Sequence, residues 1–118
     1  MFDRFKFRVY DDIQREMYNL EEQDVNPYNL IILPQNNIMQ CTGLKDKAGK
    51  LIYEGDIVHK KGSKNWKKEK LLSKVVWSKE SAAFMISDEN GLHQMPLNSN
   101  NIEVLGNIFE NPQLLKGA

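Results

Sequence analysis

The chain has 118 residues, of which 41% are hydrophobic and 27% charged, and its formal net charge is zero. Those figures suit one folded domain with its own core and suggest neither a disordered nor a membrane class. The longest apolar run, Leu30 to Leu33, is far short of the roughly 20 residues that span a bilayer, Met1-Phe2-Asp3-Arg4 opens no signal peptide, and the single Cys41 allows neither an internal disulfide nor a multi-cysteine zinc site, so a reducing cytoplasm is expected.

Phe5-Lys6-Phe7-Arg8-Val9-Tyr10 alternates apolar and mostly basic residues with period two, which predicts a half-buried first strand. Ile13, Met17 and Leu20 follow at helical spacing behind the N-cap candidates Asp11 and Asp12, so a short helix and a second hairpin strand both fit residues 12–21. Asn26-Pro27 marks a turn, Tyr28 to Leu33 reads as a strand stopped by Pro34, and Gln35-Asn36-Asn37 turns into a strand at Ile38 to Thr42. Lys47-Ala48-Gly49-Lys50 is a tight turn before Leu51-Ile52-Tyr53, and Glu54-Gly55-Asp56 is another before Ile57-Val58.

Val75-Val76-Trp77 and Ala83-Phe84-Met85-Ile86 are the next apolar runs, and Asp88-Glu89-Asn90-Gly91 carries a hairpin signal that sends Leu92 to Leu97 back antiparallel. Pro96 places that return at a sheet edge or a strand end, because proline cannot donate to a ladder. Ile102 to Leu105 and Ile108-Phe109 close the set before Asn111-Pro112 and a short tail. Short strands at such spacing, with turns between them and no long helical pattern, predict a mainly β (α+β) chain. The expected organisation is an N-terminal strand-rich subdomain over residues 1–46, a small SH3-like or related β-barrel over residues 47–110, and a tail over residues 111–118. Its expected core is Phe7, Ile32, Leu44, Ile57, Val76, Phe84, Ile86, Val104 and Ile108.

Three segments together resemble the YopX-like family of phage and prophage proteins: KFRVYD at Lys6 to Asp11, TGLKDKAGKLIYEGDIV at Thr42 to Val58, and IEVLGNIFENPQLL at Ile102 to Leu115. The first departs from the family at Val9-Tyr10, where Ala-Trp is more usual, and the lysine-rich stretch at 59–70 has no family counterpart. The resemblance implies a phage or prophage origin and a mainly β fold, and it favours the hairpin at residues 12–21. It carries no known activity, and so no catalytic residues.

Residue chemistry points the same way. Gly43 to Leu51 superficially resembles a phosphate-binding loop, but five residues separate its glycines and Leu51 stands where a Mg²⁺-binding hydroxyl is required, so a hairpin turn is expected. Cys41, inside an apolar strand, reads as a small buried hydrophobe, and its spacing to His59 and His93 suggests no pairing with a base. The doublets Asp11-Asp12 and Glu21-Glu22 read as solvated turn carboxylates, Asp56 as a turn cap, and no metal-ligand spacing occurs. No cofactor, metal or enzymatic activity is expected.

Charge is uneven along the chain. Residues 1–58 carry 7 Lys/Arg against 10 Asp/Glu, residues 59–70 carry 6 against 1, and residues 71–118 carry 3 against 5. In the basic stretch Lys60, Lys61, Lys64, Lys67, Lys68 and Lys70 surround Trp66, a composition that suits a solvated hairpin loop, a sequence-tolerant nucleic-acid site or a dock for an acidic protein. The expected function is that of a non-catalytic cytoplasmic binding module acting on a protein partner or on itself. The alternative is nucleic-acid binding through residues 59–70.

Overall fold

The computed structural model describes residues 6–19, 37–60, 72–88, 94–97 and 101–116. The expected strand at Tyr28 to Leu33, and Ile32 with it, lie outside the described residues. The chain is mainly β. Strands β1 (Phe7–Asp11) and β2 (Glu16–Asn19) form a hairpin, followed by β3 (Ile38–Lys45) and β4 (Leu51–Tyr53). Strands β5 (Asp56–Lys60), β6 (Leu72–Ser78), β7 (Ala83–Ser87), β8 (Gln94–Pro96) and β9 (Ile102–Asn107) follow, and helix α1 (Gln113–Lys116) comes last. Among the described residues no helix is long and apolar enough to cross a membrane.

Two sheets result, with strand orders β2-β1-β3-β4 and β8-β7-β6-β5-β9. Of residues 12–21, the described part, 12–19, supplies a turn and a hairpin strand and not a helix: Asp11 Oδ1 accepts the amides of Ile13 and Gln14, and the Asp11 carbonyl accepts the Arg15 amide at 2.7 Å. Arg15 (φ 58°) and Ala82 (φ 50°) close the β1–β2 and β6–β7 turns in the left-handed region, a conformation usually left to glycine. Strand β8, which contains Pro96, is an edge, as its chemistry requires.

The chain crosses between the sheets at Glu54-Gly55. Gly55 (φ 87°) donates its amide to the Val75 carbonyl at 2.8 Å, and its own carbonyl accepts the Ile108 amide at 2.9 Å. A Cβ there would stand 3.0 Å from Met39 Sδ, so both backbone shape and space call for glycine. Ile52 of the first sheet joins Val58, Val75, Ile86 and Ile102 of the second in one fully buried cluster, flanked by Phe84, Met95, Leu97 and Val104. Each such aliphatic side chain contributes about 1.5–3 kcal/mol by leaving water.

Of the expected core, Ile57 and Ile86 are buried, Phe84 and Val104 pack on the cluster, and Phe7, Val76 and Ile108 are half-buried. Leu44 is a correction: it is exposed. The inward alternation set by Met39 and Cys41 places Leu44 on the opposite face of β3.

Beneath the crossing the sheets are tied by a buried ion pair. Arg8 Nη2 donates to Asp56 Oδ1 at 2.6 Å, with the two side chains only 9% and 2% exposed. The same nitrogen reaches the Glu54 carbonyl at 3.4 Å, the guanidinium lies 4.6 Å over the Tyr53 ring, and Asp56 Oδ2 accepts the Tyr53 amide at 2.8 Å. Arg8 Nε has no hydrogen-bond partner. Burial pushes the Asp56 carboxyl above its ordinary value, against the pull of the Arg8 charge and the Tyr53 amide. Desolvation is therefore the dominant cost of the pair, and its service is to fix how the sheets meet. Asp56→Asn, which strands the Arg8 charge, should cost about 3–5 kcal/mol. Adding Arg8→Met should recover much of that loss, measured as a double-mutant cycle in urea unfolding.

Candidate functional site

Three polar side chains organise the turns around this junction. Asp46 is buried after β3 and acts as a hub. Its Oδ1 accepts the amides of Ala48 and Lys50, each at 2.9 Å, closing the tight turn around Gly49 (φ 88°), and its Oδ2 accepts the Val104 amide of β9 at 3.0 Å. The Lys47 amide also donates to the Ile102 carbonyl at 3.1 Å. The loop that superficially resembled a phosphate cradle is thus a hairpin turn whose carboxylate pins β9. Burial opposes the Asp46 charge, but the amides of Val104, Lys50 and Ala48, with the Lys50 ammonium, outweigh it and hold the carboxyl below its ordinary value.

Asn107, at the end of β9, accepts the amides of Phe109 (3.0 Å) and Glu110 (2.8 Å) on its side-chain oxygen. Asn111 Oδ1 in turn accepts the Asn107 amide at 3.2 Å, and a Cβ on Gly106 would overlap the Asn111 carboxamide. The turn delivers Phe109 to Tyr10 of β1, where the rings stack with centroids 5.2 Å apart. Apart from the donation of Asn107 Nδ2 to Glu110 Oε1 at 2.8 Å, the hydrogen bonds of these hubs secure backbone.

The chemically suggestive residues are occupied in the same way. Cys41 is fully buried, and its sulfur accepts the Gly43 amide at 3.5 Å. His59 sits half-buried on β5, and His93 and Glu21-Glu22 lie outside the described residues. Asn37 donates to the Tyr10 carbonyl and to Asp12 Oδ2, both at 2.9 Å, so the Asp11-Asp12 doublet serves the hairpin turn. Among the described residues no group of His, Cys, Asp and Glu could hold a metal ion. Of the lysines in the basic stretch only Lys60 is described: it is half-buried at the end of β5, with Nζ 3.6 Å from Met95 Sδ. Lys61, Lys64, Trp66, Lys67, Lys68 and Lys70 lie outside the described residues.

One surface feature stands apart. Trp77, near the end of β6, is 47% exposed and meets Phe84 of β7 edge-to-face at 5.0 Å and 71°. It separates two concavities. One, of about 240 Å³, is walled by Ile38, Met39, Gly55, Ile108 and Phe109 among others. The other, of about 450 Å³, is lined by Gln40, Thr42, Ala82, Ala83 and Phe84. In the sequence, Val75-Val76-Trp77 reads as an ordinary apolar strand run, and only its place just before the Ser-Lys-Glu-Ser turn hints that the indole reaches the rim.

The junction just described joins all three recognisable segments: Arg8 and Tyr10 from the first, Asp46, Gly55 and Asp56 from the second, and Val104 to Asn111 from the third. The family described as YopX protein matches residues 26–116. The chain belongs to the YopX family. No curated protein matches it. Among solved structures it is similar to protein EF1440 from Enterococcus faecalis, with a TM-score of 0.62 and 23% identity, over 93% of this chain and 96% of that one. At that identity the likeness shows the fold of a YopX-family chain and nothing of its activity.

The Asp46 hub gives the fold a pH signature. A carboxyl held below its ordinary value, about 4 in an unfolded chain, adds stability that is full above that value and is lost as pH falls through the depressed one. Asp56, held above its ordinary value, acts with the opposite sign. Asp46→Asn should therefore destabilise the protein at neutral pH and flatten the acid limb of its stability curve, whereas Asp56→Asn should leave that limb in place. Urea unfolding between neutral pH and pH about 3 checks both.

Proposed function

We propose that this YopX-family chain is a non-catalytic accessory protein of a phage or prophage, acting in the host cytoplasm by binding a protein partner through the rim around Trp77. The observation that carries this reading is an indole left 47% exposed between two concavities and braced by Phe84. Exposing half of so large an apolar side chain forfeits burial energy that a partner can recover, and tryptophan anchors dominate binding where they are found. The use of Asp11, Cys41, Asp46 and Asp56 in turns and in the inter-sheet tie supports the absence of chemistry. The second sheet, in which β9 returns beside β5, supports a small SH3-like barrel as the carrier of this surface.

The test is affinity capture from bacterial cells that carry the gene, comparing the wild type with Trp77→Ala. Trp77→Ala should still fold, losing about 0.5–1.5 kcal/mol with the Phe84 contact beyond the burial of the covered half of the indole, and should retain at least about tenfold less of a specific partner. Identical partners at equal yield with both proteins would sink the reading.

A second reading rests on charge. Six lysines against one glutamate surround Trp66 in residues 59–70, and Lys60 marks where that stretch leaves β5. Its proposed ligand is single-stranded nucleic acid, held by lysines on phosphates and by an indole on a base. Fluorescence anisotropy of labelled single-stranded DNA and RNA should then show binding that weakens with salt and is lost in a folded Lys64/Trp66/Lys67/Lys68→Ala variant. No binding at low salt would remove nucleic acid from consideration.

A further inference from the structure

Among the described residues, strand β6 is paired along only half of one side. Its register with β5 runs from Leu72 opposite His59 to Lys74 opposite Ile57, while β7 continues along the other side as far as Ser78. The reason is the crossing: an extension of β5 toward its N-terminus would flank Val76 to Ser78, but the chain turns away there, at Glu54-Gly55, into the other sheet. Among the described residues no strand lies alongside the end of β6 in its place.

The backbone of Trp77 faces that gap. Phe84, which sits opposite Trp77, gives its carbonyl to the Leu97 amide at 3.2 Å, on the side away from β6. Trp77 and Phe84 are therefore a pair that exchanges no ladder bonds, and the Trp77 amide and carbonyl point away from β7. Val75, two residues earlier and so facing the same way, accepts the Gly55 amide at 2.8 Å, which locates the gap on the β5 side. The groove of about 240 Å³ opens beside this stretch, with Val75, Val76 and Trp77 on one wall and Ile38, Met39 and Phe109 on the other.

We propose that the half of β6 left unpaired among the described residues receives an extended segment of a partner protein, which adds as a strand beside Val76–Ser78 and lodges an apolar side chain in this groove. The inference rests on the reading of the Trp77 rim as a protein-binding surface and names what that surface binds. An extended segment is the occupant whose chemistry matches: it offers the amide and carbonyl that the Trp77 backbone does not find among the described residues, whereas a helix has spent its own on itself. Phosphate is disfavoured because the charges on the groove walls, Lys74 and Glu54, offset one another. Alternate side chains of the added strand reach the groove and the indole in turn, so affinity comes from the backbone and selectivity from every second residue.

The experiment selects ligands from a phage-displayed library of random linear peptides against the full chain, then measures the selected peptides by calorimetry and amide hydrogen exchange. Peptides should bind with an affinity that falls at least about tenfold in Trp77→Ala. N-methylation of alternate peptide amides should abolish binding, and exchange of the Trp77 amide should slow in the complex. The last two readouts use the wild-type chain and do not depend on a variant folding. Peptides that need Trp77 yet tolerate N-methylation and leave its amide exchange unchanged would overturn strand addition and keep the docking surface. A library that yields no Trp77-dependent peptide would overturn both. A concentration-dependent dimer in sedimentation, lost in Trp77→Ala, would give the groove to a second copy and overturn the proposal.

Discussion

The Arg8–Asp56 pair is the constraint on which the rest of the fold depends. It joins the first strand of one sheet to the first strand of the other, in a place where neither charge meets water. A pair so placed contributes little net stability, because desolvation consumes most of the Coulombic gain. It does make alternatives expensive: any arrangement that slides β1 along the second sheet separates two buried charges. Tyr53 completes the arrangement, its ring under the guanidinium and its amide on the carboxylate, so that the last residue of β4 is held by both partners. The apolar cluster around Ile52 supplies the energy that the ion pair does not.

Around that tie, short polar side chains take over work that backbone ladders do elsewhere. Asp46 and Asn107 each bind amides that the sheets leave over, and Thr42 Oγ1 donates to the Ile52 carbonyl at 2.8 Å across the irregular β3–β4 pairing. Buried amides must find acceptors, and a domain built from strands of three to eight residues has many ends to satisfy. The segments by which the chain is recognised as a YopX relative are those that meet this need. Their glycines, asparagines and aspartates are explained by turn geometry and inter-sheet contacts, without recourse to a reaction.

Much of the fold was legible in the sequence because turn chemistry is local. Gly49, Gly55 and Pro96 each declared a turn or an edge through a property of a single residue, and the period-two pattern at Phe7 to Tyr10 declared β1. The hairpin at residues 12–21 was not decidable from spacing, since Ile13 and Met17 suit either structure; Ile13 proves 92% exposed, at a turn. Leu44 was misjudged because its face follows from the alternation of Met39 and Cys41, which an apolar letter read alone does not reveal. Arg15 and Ala82 hold left-handed conformations without the glycine that would have marked them.

The candidate site was harder to read. Trp66, embedded in lysines, drew attention by its neighbours, whereas Trp77 read only as the end of an apolar strand run. Its exposure follows from the path of a different segment, the turn of Glu54-Gly55 out of the second sheet, and the sequence around Trp77 carries no trace of it. The tie of Arg8 to Asp56 was equally invisible, since the Asp56 turn read as self-contained.

The separation of these contacts along the chain has a consequence for how the protein is made. Arg8 and Asp56 lie 48 residues apart, and Asp46 and Val104 lie 58 apart. On the ribosome, β1 must wait for β5 before its charge is answered, and the Asp46 turn stays incomplete until β9 has left the exit tunnel. The first sheet has all its strands by Tyr53, but its ties to the second are complete only when β9 is made, and until then the exposed strands are open to chaperones or to one another.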